Sequence, residues 1–337
     1  MSYVQALVPP EHASNHLLVL PGTTDVAVVR RLAEAWFADV RWLKEPAARS
    51  GASQPMTGAR FRGMTAAPAD PQDVGPGVLG IGADHGAAGP FTGSQDAAAQ
   101  LGMPEDVRVF ALGRVDGMFD RRGGRPASLD DRDGIARAFV AGLPEGEELR
   151  LVQWGVAVAR KLGGLVLADG RQLLRPDPGG SVDLRLFSAH PIASADLLAL
   201  LRSVVATAEL DAESVGPDGS ATFRLVARTP YDGTLTLDAQ RVDRVPRALV
   251  DIDPAEYGPF AVTVRWVPQD PYELRLEQPS GLHVIARTRM RAMAARLALL
   301  THARTGGVLV DDGAFVATTA EIERRLDDQQ SSTRAWV

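Results

Sequence analysis

WGVAVARKLGGLVLADGRQLL, residues 154–174, is echoed later in the chain by LALLTHARTGGVLVDDGAFVA, residues 297–317. When Gly163-Gly164 is laid on Gly306-Gly307 the two stretches run without a gap, and Asp169-Gly170 falls on Asp312-Gly313. Before the glycines, the apolar residues suit a helix with one broad buried face: Trp154, Val156, Val158 and Leu162 in the first stretch, Met290, Met293, Leu297, Leu299 and Leu300 in and before the second. Glycine ends such a helix because it enters positive φ without a Cβ penalty. Leu165-Val166-Leu167 and Val308-Leu309-Val310 then read as strands too apolar to face water on either side. Each Asp-Gly pair signals a tight turn, returning the chain into residues 172–174 or 315–317. The unit is helix, strand, turn, strand, and it occurs twice.

Working outward, HLLVL at 16–20 is a strand followed by a helix whose cap is Thr23, Thr24 or Asp25. VDLRLF at 182–187 is its counterpart, followed by a helix capped by Ser194. Strands are also expected over 107–112 and 260–267, and a hairpin over 222–237 turning at Tyr231-Asp232-Gly233. Each half therefore opens strand–helix and closes helix–strand–strand. The fold class expected is α+β: two related halves, each a mainly antiparallel sheet covered on one side by two helices, ferredoxin-like in outline, arranged as a pseudo-twofold internal duplication. The first repeat spans 1–177 and the second 181–326, joined at the Pro- and Gly-rich Arg175–Ser181, with a flexible tail over 327–337. Residues from about 45 to 105 form a long Gly/Pro/Ala-rich insertion in the first repeat, in which Val78–Ile81 is the one strand candidate.

Composition narrows the function classes. The 337 residues are 45% hydrophobic and 23% charged, ordinary for a globular protein of two domains. The absence of cysteine excludes disulfides, thiolate nucleophiles and cysteine-bound zinc. A net charge of −6 argues against nonspecific nucleic-acid binding. The N-terminus lacks the basic start and apolar core of a secretory signal, and no apolar run reaches membrane-spanning length. The reading is a soluble, cytoplasmic protein with no membrane or nucleic-acid partner.

No dinucleotide-binding, phosphate-loop, zinc-protease or nucleophile-elbow signature is present, so no cofactor and no metal is implied. His12 and His16 are four apart, but Pro9-Pro10 before them and a strand after them oppose a metal-binding helix. His190 before Pro191 suits capping or packing, and His302 suits a polar helix surface. Asp84-His85 lies in a glycine-rich turn and is the candidate for general acid/base catalysis, with Thr92 and Ser94 nearby in sequence. Turn chemistry alone also explains Asp beside glycine. Among the arginines along the second repeated helix, Arg287 and Arg291 are the candidates for binding a phosphate or an acidic partner, against the alternative of a solvated face. Asp169 and Asp312 also invite pairing, although turn formation accounts for both.

Two functional expectations follow. The first is a non-catalytic binding or interaction protein, holding a protein partner or small ligand on its sheet faces or in the groove between halves, and showing an exposed apolar patch there. The second is a small-molecule or hydrolytic enzyme with its site around Asp84 and His85.

Overall fold

A computed structural model describes residues 6–47, 75–104, 106–115, 131–139, 142–216 and 219–334, with side chains of the last helix described to Asp327. The chain divides into two compact units, residues 1–125 with 138–175, and residues 126–137 with 176–337. The return of 126–137 to the second unit is a crossing that sequence periodicity did not indicate.

The first unit contains β1 (His16–Pro21), α1 (Val26–Glu34), β2 (Val40–Lys44), β3 (Gly77–Ile81), β4 (His85–Gly93), α2 (Gln95–Gln100) and β5 (Val107–Arg114). After the short helix α3 (Ile135–Ala138) come α4 (Gly146–Leu162), β6 (Leu165–Ala168) and β7 (Gln172–Leu174). Its strands form one seven-stranded sheet in the order β2-β3-β4-β5-β1-β6-β7. The second unit contains β8 (Leu184–Ser188), α5 (Ser194–Val204), β9 (Glu209–Val215), β10 (Ala221–Thr229), β11 (Gly233–Arg241), α6 (Pro254–Tyr257) and β12 (Phe260–Val267). It closes with α7 (Gly281–Thr305), β13 (Val308–Asp311), β14 (Val316–Ala317) and α8 (Thr319–Arg334). Its sheet runs β9-β10-β11-β12-β8-β13-β14. Every described strand pair is antiparallel. The class is α+β.

The paired glycines have separate tasks. Gly163 closes α4 in the left-handed conformation (φ 72°, ψ 31°), and Gly306 closes α7 with φ 66°. The following glycine lets the chain enter the sheet without a connecting loop. A Cβ on Gly164 would lie 2.3 Å from the Val19 carbonyl oxygen of β1, and one on Gly307 would lie 2.1 Å from that of Phe187 in β8. No other residue fits against those carbonyls. The first Asp-Gly turn is tight, with Asp169 and Gly170 both at positive φ (55° and 60°). The second is wider: Ala314 takes the positive φ (59°), and the Asp311 N–H is bonded to the Phe315 carbonyl.

Helices cover the sheets unequally. In the first unit α4 packs Gly155 against Leu112 and Val166, while Trp154 meets Phe37 edge-on and donates its indole N–H to the Leu32 carbonyl of α1. The opposite face of that sheet is also covered, by α2 and by Leu7 and Val8, which share a core with Leu17, Val19, Val109, Ala111 and Leu167. The expected one-sided covering therefore fails here, because Leu17 to Leu20 are buried on both faces. In the second unit α5, α7 and α8 cover one face, with Leu197, Leu201, Met290, Leu297 and Ile322 against Leu186, Leu225, Leu237 and Trp266. The other face carries a small core at one end, where Leu249 and Tyr257 meet Phe187, Ala261 and Val310.

The sequence reading also missed β4, HGAAGPFTG, inside the Gly/Pro/Ala-rich insertion. Small residues are needed there: a Cβ on Gly93 would sit 2.6 Å from a Val107 methyl. Ser194 is not the cap of α5; Ala193 holds that position, and the Ser194 hydroxyl donates to Glu213 at 2.7 Å. Asp25 caps α1. Residues 48–74, and 335–337 at the end of the tail, lie outside the described residues.

The two glycine tasks predict different costs in denaturant unfolding. Gly163→Ala, with open space around the new methyl, loses about 1–2 kcal/mol for its left-handed backbone. Gly307→Ala adds a backbone collision at φ 113° and loses about 3 kcal/mol or more.

Candidate functional site

Beyond its Leu249–Tyr257 end, the face of the second sheet that no described helix covers carries a row of side chains fixed by strand register. Arg224 of β10 stands opposite Asp238 of β11, Asp238 opposite Thr263 of β12, Thr263 opposite Arg185 of β8, Arg185 opposite Val310 of β13, and Val310 opposite Val316 of β14. In the first sheet, the row in the same strand order is Val78, Ala88, Ala111, Leu17, Leu167 and Leu173. That row is apolar throughout and lies under α2 and the N-terminal segment at its centre. The row of the second sheet is charged at its centre and borders a concavity of about 630 Å³.

The three guanidinium groups of this concavity, on Arg185, Arg224 and Arg265, differ in their partners. Arg224 forms an ion pair with Asp238 at 2.6 Å. Arg185 instead lies over the Phe187 ring, 5.0 Å from its centroid, with its Nε buried and without a hydrogen-bond acceptor. Burial, and then the like charge of Arg265, holds the Arg185 guanidinium below its ordinary pKa. Neither Arg185 nor Arg265 has an ion-pair partner among the described residues. The acids nearby are engaged. Asp183 accepts the Trp266 N–H at 2.9 Å and lies 3.9 Å from Arg132, and burial raises its carboxyl above the usual range against the pull of Arg132. Asp312 accepts the Ser181 hydroxyl at 2.6 Å, and Asp311 accepts the Phe315 N–H.

A second polar cluster lies in the first unit. His16, fully buried at the start of β1, accepts the Asp169 N–H on Nδ1 at 3.0 Å and meets Glu148 of α4 through Nε2 at 3.2 Å. That geometry assigns the ring proton to Nε2, donated to the carboxylate. Phe139 packs edge-on against the ring. His16, Glu148 and Asp169 offer ligand atoms within 4.8 Å of one another. Both ring nitrogens are already used by the protein, so a metal ion would have to displace one of those bonds. The arrangement reads as a lock joining β1, α4 and the β6–β7 turn. The sequence reading missed it, since Glu148 lies 132 residues from His16.

Asp84 sits in the turn between β3 and β4, and His85 is the first residue of β4, opposite Arg114 of β5. His85 is half-buried; burial and then Arg114 lower its pKa, while Glu147, Asp84 and Glu148 oppose the shift. Ser94 caps α2 through the Ala97 N–H. Arg287 is ion-paired with Asp177, and Arg291 donates Nε–H to the Ser181 carbonyl at 3.0 Å, so both fasten α7 to the segment before β8. His12 packs against the Phe91 ring in a tilted arrangement, and β1 begins at His16, so the two histidines do not share a helix. His302, on the last turn of α7, is part-buried with its Nε2 3.1 Å from the Gly307 carbonyl oxygen. Asp169 and Asp312 each bond within their own unit.

No protein-family model, curated protein or solved structure matches this chain. Among the described residues, no helix is long and apolar enough to cross a membrane.

Two outcomes are expected of the His16 cluster. Glu148→Ala leaves the buried Nε2–H without its acceptor and lowers unfolding stability by about 1–3 kcal/mol, whereas Glu148→Gln, which keeps an acceptor oxygen, costs less. Added zinc leaves the melting temperature unchanged, because a ligand raises it only by binding the folded state. His85, and His283 lowered by burial and then by Arg287, set a pH dependence. Their folded-state pKa values lie below the unfolded value, so the stability they contribute is complete above about pH 6.5 and is lost as pH falls through the depressed values. Melting temperature should therefore drop on acidification below neutrality, and His85→Gln should shallow that drop.

Proposed function

We propose that this protein is a non-catalytic binding protein made by internal duplication of an α+β unit, and that the uncovered sheet face of the second copy is its recognition surface. Duplication is supported by the order of elements: replacing β1 to β7 by β8, β9, β10, β11, β12, β13 and β14 at the matching places of the two sheets leaves the strand order unchanged. The four strands β13-β8-β12-β11 run in the order fourth, first, third, second of a ferredoxin-like unit, with β9 and β10 extending one edge and β14 the other.

The observation that carries the binding reading is the contrast between the two second faces. One is apolar and buried by α2; the other exposes Arg185, Thr263 and Asp238 over a concavity of a size suited to a small ligand or a protruding partner side chain. Its polarity departs from the exposed apolar patch anticipated for a protein-binding face. Recognition on it rests on directed polar contacts rather than apolar area.

A second reading, an enzyme working at Asp84 and His85, is favoured by the carboxylates of Glu147 and Glu148 acting on a His85 whose pKa is lowered by burial and then by Arg114. Undiminished turnover in His85→Ala, for any activity found, would end it.

Thr263→Trp places a large ring at the centre of the open row without touching the helix-covered core. Wild type and variant are screened by thermal shift against small carboxylates, phosphate esters and acidic peptides. A ligand at a hundred times its Kd stabilises wild type by about 2.7 kcal/mol, and the variant, melting normally alone, should lose that gain. Ligands that stabilise both proteins equally place recognition elsewhere.

A further inference from the structure

We propose that Arg185 and Arg265 together hold one oxyanion, a carboxylate or a phosphate, of a small ligand seated on the open face of the second sheet. The inference rests on reading that face as the recognition surface, and adds the chemistry of what it binds.

The Arg185 Nε–H supplies the first argument. It is buried and has no acceptor, although a donor removed from water without a partner is costly, more so when it belongs to a charged group. Its planar group lies over the Phe187 ring, which holds the guanidinium in one orientation, and Arg185 lines the concavity, where an oxyanion can meet its terminal N–H groups. Arg265 lines the same concavity, two residues along β12 from Thr263, the partner of Arg185, and the like charges repel unless an anion lies between them. An oxyanion shared by two guanidinium groups accepts charge-assisted hydrogen bonds from both.

The neighbouring acids decide how large the anion is. Asp183 is held by the Trp266 N–H and Arg132, Asp238 by Arg224, and Asp312 by Ser181. Held by these partners, none of them is ion-paired with Arg185, although the charge of Arg265 also acts on Asp183. They still leave the concavity with acidic walls, through Asp183, Asp311, Asp312 and Glu213. A polyanion such as a nucleic-acid backbone would meet those walls, so the fit is to a ligand with one oxyanion and a neutral or cationic remainder. The volume of about 630 Å³ lies within the range of small-molecule sites.

The test follows the Arg185 Nε–Hε signal in nitrogen-15 spectra of the full chain, assigned with Arg185→Lys. Acetate and inorganic phosphate are titrated separately, with sodium chloride at matched ionic strength as reference. Saturable movement with acetate or phosphate, exceeding that with chloride, is expected at millimolar concentrations, the scale of a single charge-assisted contact. The stronger of the two probes assigns the ligand group. Arg265→Gln, at an exposed position, should weaken the apparent affinity about tenfold, and Arg265→Lys should restore part of it. No saturable movement up to about 50 mM, or movement equal to that with chloride, overturns the proposal. Should that happen while ligands sensitive to Thr263→Trp persist, the open face stands as a recognition surface and only its oxyanion chemistry is rejected. Should both fail, both readings fall.

Discussion

Two backbones touch in each unit, and the remaining architecture follows from that contact. Gly164 passes under the Val19 carbonyl and Gly307 under that of Phe187, at separations that no Cβ tolerates. A helix that ends there can feed a strand directly into the sheet beside the opening strand, so β6 pairs with β1, and β13 with β8, immediately after the helix. The same step lays the long helix back across those strands, burying Trp154 and Val158 in the first unit and Met290 and Leu297 in the second. A loop at this junction would free the helix from the sheet and dissolve the register on which every other strand is built.

Once one face is covered by helices, each sheet must resolve its other face, and the two do so in opposite ways. Leu17, Ala111 and Leu167 would expose a continuous apolar strip; α2 with Leu7 and Val8 removes it from water, gaining roughly 25 cal/mol for each Å² buried. Arg185, Thr263 and Asp238 in the corresponding row need no such cover. One end of that face, carrying Phe187, Ala261 and Val310, is apolar, and among the described residues the segment holding Leu249 and Tyr257 packs on that end. The boundary between covered and open sheet thus follows the chemistry of individual side chains. The concavity is what remains where the covering segment stops.

Much of this was legible in sequence where periodicity is strong. Alternation marked β12 at its true limits, 260–267, and the Tyr231-Asp232-Gly233 turn between β10 and β11. The helix–glycine–strand junctions were equally plain. By contrast, β4 has no periodic signal, because close neighbours demand Gly86, Gly89 and Gly93 in it, and those residues advertise a loop. The candidate site was half legible: in VDLRLF, Asp183 and Arg185 alternate with buried leucines and so point to one polar face. What Arg185 lies beside depends on Thr263 and Val310, brought there by long-range register that no local pattern encodes. His16 gave the weaker signal of one polar residue heading an apolar run, with its partner on a distant helix.

The Asp of each Asp-Gly pair also does more than make a turn. Asp169 reaches back through its backbone N–H to His16 at the mouth of β1, and His16 is held in turn by Glu148 of α4. Asp312 reaches back to Ser181, just ahead of β8, and Ser181 accepts from Arg325 of α8 at 3.0 Å. Both chains of contact run from the turn, to the entrance of the first strand, to a helix, although they use different residues and different helices. Turn propensity explains an aspartate at either position but not why each is joined to the strand entrance by a buried or half-buried polar bridge. Such a bridge fixes the turn against the sheet end once the glycine contact has set the strand. Because His16 and Ser181 satisfy it with different chemistry, the requirement is for a polar link at that place in the fold, not for a particular side chain.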